Sequence, residues 1–517
     1  MERSIKKAAS IAGVVFAVLF VVYFGFRSVG INIFQTTFVM QIRNFFNIIF
    51  SINILLIAVF IFLENKNPSK TLAWLLVLFL LPWVGFILYV LLGRTTFKKK
   101  SLADKGLKDP MYLAETAKIQ IRALKSHDIF EDRTNIRKLI NLLLQNSSSI
   151  ITSNNDIEVL TNGEATFTSM LKAIEEAKHH IHMEYFIIKD SEIGEKFKRL
   201  LMKKSKEGVK VRIIYDAVGC WKLSDAFKSD LISAGVEIEA FHPVLFPLLS
   251  RDLNYRNHRK IIVVDGLTGY VGGLNIGDEY LGKNKRLGFW RDTHLKITGE
   301  ATSILQLIFF SGWSHVTKEE LPYDSLYYPP YITYGDTLTQ IVASGPDSSW
   351  QNILQAYFKM ITISEKRLWI TTPYLVPHEG VLLALKTAAL SGIDVRIIIP
   401  SKADHFLVYW ASQDNIEELL EAGVKIYRYT KGFIHAKMFL LDDICTSIGT
   451  ANLDYRSLEL SYEVNAFIYD KEVVSRVERD FRNDFMDSEE ITLAEFRSRP
   501  LRNKALEALG RLVSPLQ

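Results

Sequence analysis

Cysteine is nearly missing from this 517-residue chain: Cys220 and Cys445 are the only two. Two thiols cannot staple a secreted scaffold, so a disulfide framework is excluded, and the scarcity fits a reducing compartment. Charge is missing too, but locally: Ala8 to Phe26, Phe45 to Leu63 and Thr71 to Gly93 contain no Asp, Glu, Lys or Arg. Each stretch is close to the ~20 apolar residues that a helix needs to cross a bilayer. Three such stretches in the first hundred residues point to transmembrane helices rather than buried soluble ones. The first follows Arg3, Lys6 and Lys7 and also has the outline of a signal peptide, although it lacks a clear small-x-small cleavage site. We therefore expect a membrane region over 1–93 with two or three spans.

Lys and Arg beside the spans set their orientation. With the N-terminus inside, the inner count is five, from Arg3 to Lys70. With it outside, the inner segments hold eight, from Arg27 to Lys108. This places the bulk of a multi-pass cell-membrane protein on the cytoplasmic side. A net charge of +5 beside such spans suits anionic membrane lipid.

Beyond Gly93, a basic connector with helices occupies 94–152. Two halves, 153–325 and 326–486, then resemble each other, and a basic helical tail fills 487–517. "EGVKVRIIYD" matches "SGIDVRIIIP", and "SAGVEIEAFHP" matches "EAGVKIYRYTK", each after a helix-then-strand pattern. Helical periodicity alternating with β-branched runs such as Val209 to Tyr215 predicts α/β layers on largely buried sheets. Duplication lets the two halves face each other across a pseudo-two-fold axis.

Each half also carries one spaced motif: "NHRKIIVVDGLTGYVGGLN" (257–275) and "IHAKMFLLDDICTSIGTAN" (434–452). Both read His, one residue, Lys, four residues, Asp, six residues, Gly-x-x-Asn. A lone His-x-Lys on a strand is usually a solvated edge, but two copies with the full downstream spacing argue against that reading. His258 and Lys260, two apart, share a face, as do His435 and Lys437. Brought together, the halves offer two imidazoles, two ammonium groups and the amides of Asn275 and Asn452. Such a pocket suits a phosphodiester: one imidazole attacks phosphorus, the other protonates the leaving oxygen, and the cations and amides hold the non-bridging oxygens. The scheme calls for no metal or other cofactor, and no cluster with obvious ligand spacing accompanies either motif. Asp265 and Asp442, counted with the catalytic motif, sit at strand ends as its structural members.

These motifs make the chain resemble the phospholipase D superfamily, and more narrowly bacterial cardiolipin synthases. The resemblance rests on the paired motifs and on "NPSKTLAWLLVLFLLPWVGFILYVLLG", "FHPVLFPLLSRDLNYRNHRKIIVVDG", "WRDTHLKITG" and "GTANLDYRSLELSYEVN", and covers nearly everything from about residue 45. It implies two phospholipase D-like α/β halves after N-terminal transmembrane helices. It also implies a reaction of two phosphatidylglycerol molecules giving cardiolipin and glycerol. His258 would then be the nucleophile forming a phosphatidyl-histidine, and His435 the general acid and then base. Asp292 in "WRDTH" and Glu463 in "SYEVN" would orient the imidazoles; the bland alternative for them is a surface carboxylate or, for Asp292, an ion pair with Arg291. His378 after "TTPYLVP" departs from the family, where an acid is more usual.

Two segments invite a lipid reading. Ala240 to Arg251 is apolar and immediately precedes the first motif, so it either dips into the bilayer or packs on the sheet. The tail mixes Arg497, Arg499, Arg502, Lys504 and Arg511 with Leu and Ala, which reads equally as a membrane-surface helix or as a helix on the catalytic core. A nuclease would need a basic groove lined with stacking aromatics, whereas 57 acidic residues here offset 62 basic ones, so nucleic acid is not the expected partner. A phospholipase D that hydrolyses lipid uses the same residues and remains the alternative. A lipid-binding scaffold with a decayed site is disfavoured because both motifs are complete. Homo-oligomer formation is left open by the sequence.

Overall fold

Short β-branched runs and amphipathic helices alternate as the sequence predicts. The computed structural model describes residues 108–126, 134–243, 255–330, 334–402, 404, 406–500, 502–503 and 506–507, with positions 45, 74–78 and 85. The three charge-free stretches, apart from those few positions, and most of the Ala240–Arg251 segment lie outside the described residues. Among the described residues, no helix is long and apolar enough to cross a membrane.

After β1 (Ile151–Thr152) of the connector, the first half opens with β2 (Asn155–Thr161), the helix Asn162–Glu176 and β3 (His180–Tyr185). The helices Glu192–Lys206 and Asp225–Ser233 then lead into β4 (Lys210–Asp216) and β5 (Glu237–Phe241). Ser191 and Ser224 cap these helices, their hydroxyls accepting from Gly194 and Phe227 N–H groups. β6 (Lys260–Val264), β7 (Thr268–Gly272), the short β8 (Phe289–Arg291) and β9 (Thr293–Gly299) follow. The resulting sheet has the order β2-β9-β7-β6-β3-β4-β5.

The second half repeats this plan with β10 (Thr339–Ser344), β11 (Arg367–Thr371), β12 (Leu375–Val376), β13 (Asp394–Pro400) and β14 (Lys425–Tyr429). It continues through β15 (Gly432–Ile434), β16 (Met438–Leu441), β17 (Cys445–Gly449), β18 (Leu453–Asp454), β19 (Glu463–Ile468) and β20 (Ser488–Ile491). Its sheet order is β1-β10-β19-β17-β16-β11-β13-β14-β20. Without β1 and β20, every strand has its counterpart in the first sheet, in the same order.

Alternation within β6 explains how the halves join. Ile262 and Val264 face the helices of their own half, among Phe167, Met170 and Phe197. Ile261 and Val263 face the other way, into a cluster that also holds Leu295 of β9 and Ile448, Val464 and Ala466 of the second sheet. The two sheets thus share one apolar core, and the strands at its centre, β6, β16, β17 and β19, are buried on both faces, as a continuous Ile/Val run requires.

The flanks cross the expected boundaries. β1, from the connector, pairs with β10 of the second half, and β20, from the tail, pairs with β14. Within the tail, Arg497 bonds to Glu417 and Glu421, Arg499 bonds to Glu507, and Phe496 is buried. Of the two readings of the tail, its described part follows the one in which it packs on the core; residues 508–517 lie outside the described set.

Candidate active site

Each histidine is fixed first by its backbone. The His258 N–H donates to the Tyr462 carbonyl at 2.9 Å, and the His435 N–H to the Arg291 carbonyl at 2.7 Å. These bonds belong to two short parallel seams between the halves: a bridge of Asn257 with Tyr462, and the pairing of β15 with β8. In each seam, the residue before a histidine of one half runs beside the residue before an acid of the other. The side chains then cross over. His258 Nδ1 lies 2.9 Å from Glu463 Oε1, and His435 Nδ1 lies 2.8 Å from Asp292 Oδ2. Each imidazole is oriented by a carboxylate from the opposite half, which leaves Nε2 as its reactive nitrogen.

The lysines close the site. Lys260 Nζ donates to the His258 carbonyl at 2.6 Å, and Lys437 Nζ to the His435 carbonyl at 2.5 Å, while lying 3.0 Å from His435 Nε2. Both ammonium groups are almost wholly buried. Burial, with the charge of Lys437, brings Lys260 down to about 7, against the pull of Glu463; burial likewise brings Lys437 down to about 8. A phosphate between them would restore their full charge.

Burial also holds both histidines at about 4. For His258 the Glu463 charge opposes the drop, and for His435 the neighbouring Lys437 adds to it while Asp292 opposes it. Burial works against ionisation of Asp292 and Glu463, but the histidine partners together with Lys437 beside Asp292 and Lys260 beside Glu463 outweigh it and leave both acids below the usual range. At neutral pH both shifts favour neutral imidazoles, each held at Nδ1 by a carboxylate, and His435 Nε2 has Lys437 Nζ beside it at 3.0 Å. An anionic substrate favours protonation of one of those rings.

Comparison with known proteins agrees with this geometry. Residues 170–306 and 357–485 match the family model described as "Cardiolipin synthase, PLD-like domain", and 47–94 match "Phospholipase_D-nuclease N-terminal". The chain is 46% identical to a cardiolipin synthase of Geobacillus kaustophilus over 92% of its own length and 94% of the relative's. The chain belongs to the cardiolipin synthase family.

A further family relative, the major cardiolipin synthase of Bacillus subtilis, is 42% identical, with 91% of this chain and 98% of the relative covered. The fold is also that of a Haemophilus influenzae phosphatidylserine synthase, with a TM-score of 0.57 at 15% identity over 74% of this chain and all of that one.

Within this cardiolipin synthase fold, six of the sequence-derived residues meet at one place: His258, Lys260, Asp292, His435, Lys437 and Glu463. Asp265 and Asp442 do not join them. Asp265 accepts from the N–H groups of Lys178, His179 and His180, and Asp442 from those of Glu365, Lys366 and Arg367. Both sit at positive φ, 53° and 48°, in the tight turn that ends the motif strand. As structural members of the motif, they tie that turn to the neighbouring strand. Asn275 is engaged within the protein, accepting from Ile187 N–H and donating to Tyr280 Oη at 2.9 Å. Asn452 is buried with its Oδ1 unpartnered and its side chain bonded to Asp454. Arg291 is paired with Asp484 and donates to the Asp292 carbonyl, so Asp292 is left to His435. His378 caps the helix Glu379–Leu390 by accepting from Gly380 N–H.

Residues without motif spacing complete the site. Thr450 Oγ1 donates to Glu463 Oε2 at 2.5 Å. At the corresponding place in the first half stands Gly273, where a Cβ would lie 2.0 Å from Asp292 Oδ1. Trp290 packs 5.3 Å from the His435 ring, and Phe186 packs edge-on 4.9 Å from that of His258. A signal for Gly273 was present in the doubled glycine, but Phe186 and Trp290 read as ordinary core aromatics.

Proposed function

We propose that the chain makes cardiolipin by transferring a phosphatidyl group between two phosphatidylglycerol molecules, and the observation that carries this reading is the crossed pair of acid-held histidines. The His258 Nε2 lone pair attacks phosphorus of the first lipid, forming an N–P bond. The P–O bond to the headgroup glycerol breaks as His435, protonated with the anionic lipid in place, gives its proton to that oxygen, and glycerol leaves. His435, now neutral, takes the proton from a glycerol hydroxyl of the second lipid. That oxygen attacks phosphorus, the N–P bond breaks, and His258 returns to its neutral state.

Throughout, Glu463 and Asp292 hold each ring in one tautomer and stabilise the charge that forms on it. Lys260 and Lys437 stabilise the non-bridging oxygens in a site from which water is largely excluded. The match over 47–94 supports an N-terminal membrane anchor; the Lys and Arg count beside the charge-free stretches favours catalytic halves on the cytoplasmic side, and the near balance of acidic and basic residues favours anionic lipid over nucleic acid as partner.

The test is to supply phosphatidylglycerol as the sole phospholipid, in liposomes without added metal, and follow products by mass spectrometry. Cardiolipin and glycerol should form in equal amounts and be lost in His258→Ala and in His435→Ala. Phosphatidic acid without cardiolipin would mean that water is the acceptor and would overturn the synthase reading.

A further inference from the structure

The pseudo-two-fold symmetry also fails one layer behind the site. Among the described residues, a buried polar network lies behind His258 that the matching positions behind His435 do not repeat. Asn257 is fully buried and uses three of its polar groups there. Its backbone N–H donates to Asp216 Oδ2 at 2.9 Å, its Nδ2 donates to Glu184 Oε1 at 2.7 Å, and its Oδ1 accepts from Arg259 N–H at 3.2 Å. The last bond bridges the chain across His258 itself. Asp216 and Glu184 are both fully buried. Asp216 is held in turn by the N–H groups of Val218 and Gly219 and by Arg256 at 3.4 Å, and Glu184 faces Arg259 at 3.5 Å.

Strand register identifies what the second half places there. Lys260 and Lys437 correspond by motif, so Asn257 corresponds to Ile434. In β3, Glu184 pairs with Ile261, the residue after Lys260, and in β11, Thr371 pairs with Met438, the residue after Lys437. Glu184 thus corresponds to Thr371, and stepping through β4 and β13 places Pro400 where Asp216 stands. Ile434 and Pro400 have no polar side-chain atom, and the Thr371 hydroxyl has no hydrogen-bond partner. The three-residue network is therefore specific to the first half.

Its effect is to finish the immobilisation of His258. Its N–H, carbonyl and Nδ1 are bonded to Tyr462, Lys260 and Glu463, and the Asn257 clamp fixes the backbone on either side. Only Nε2 remains uncommitted. A nucleophile gains most from such fixing, because attack on phosphorus tolerates little error in distance or angle. An acid-base group that serves two different oxygens in turn gains from keeping some freedom.

We infer that Asn257, clamped between Glu184 and Asp216, is a positioning residue that makes His258 rather than His435 the attacking imidazole. The inference rests on the transfer reaction proposed above and adds a physical reason for its direction.

The test uses the full-length enzyme in phosphatidylglycerol vesicles, with rapid acid-free quenching and mass spectrometry of the histidine adduct in a single turnover. Asn257→Asp places a carboxylate against Glu184 and should slow adduct formation on His258 by about 100-fold, with KM within about threefold of the parent. The swap Asn257→Asp/Glu184→Gln rebuilds the same hydrogen bond with donor and acceptor exchanged and should recover the rate to within about tenfold. Because a single-turnover rate constant belongs to the folded molecules alone, partial misfolding lowers the adduct yield and leaves the rate constant unmoved. Should Asn257→Asp not fold at all, the swap and Glu184→Leu are read in the same way. Adduct formation at the parental rate in Asn257→Asp or Glu184→Leu, or a folded swap that stays slow, would overturn the positioning role. Failure of the transfer reading looks different: the unsubstituted enzyme would then release phosphatidic acid and no cardiolipin, whatever the Asn257 variants do.

Discussion

At the scale of single residues, the crossed pairs separate two acids that the sequence presents as equivalents. Asp292 holds His435 and Glu463 holds His258, so their loss should damage different roles, the acid-base and the nucleophile. Glu463→Gln should reduce the rate of adduct formation by about 10³-fold, since an amide accepts less well and allows the wrong tautomer. Asp292→Asn should cut turnover by a similar factor by disabling the acid and base, and hence both departure of the first glycerol and attack by the second lipid. Single-turnover and steady-state rates measured on the two variants check this; equal effects on both steps in both variants would count against the assignment. His258, Lys260, His435 and Lys437 were legible because they recur at one spacing. Which acid serves which histidine was not, because the partners lie 205 and 143 positions apart and on opposite halves. Asn257, Glu184 and Asp216 were hidden for a different reason: they occur once, and a polar residue that appears in one copy only leaves no repeated spacing to notice.

Among the elements, the strands were legible from β-branched runs: Val209 to Tyr215 became β4, shifted by one residue, and Val395 to Ile399 lies inside β13. β1 and β20 were not anticipated, since a strand of two or four residues carries too little alternation to be read. The aspartates that end the motif strands show how one spacing can serve two purposes. Asp442 adopts a positive φ that Asp tolerates better than most residues, and it caps three N–H groups of the neighbouring chain. Asp442→Ala should cost about 2 kcal/mol of folding stability in urea titrations. Turnover per folded molecule should stay near the parental value, whereas a catalytic aspartate would lower turnover first.

For the whole molecule, the concentration of buried imidazoles has a thermodynamic consequence. His180, His258 and His435 are each lowered to about 4 and His294 to about 3, in every case chiefly by burial. Between about 6.5, where an unfolded histidine titrates, and 4, the unfolded chain takes up protons that the folded one refuses. Stability is thus complete above pH 6.5 and declines as the pH falls toward 4. Thermal melts across that range should show the midpoint falling with each step down in pH; a flat profile would contradict neutral burial. Bound phosphatidylglycerol should blunt the fall, because its charge favours the protonated imidazole.

The exchange of acids between the halves also bears on how the duplicated sequence has drifted. Either copy alone would hold a histidine without its orienting carboxylate and a carboxylate without its histidine. A lesion in one copy is therefore inherited as a defect of the other, and neither can be spared as a redundant duplicate. The filler between the spaced residues has been free to change while the spacing itself has not, and one ancestral unit has become two that remain answerable to each other.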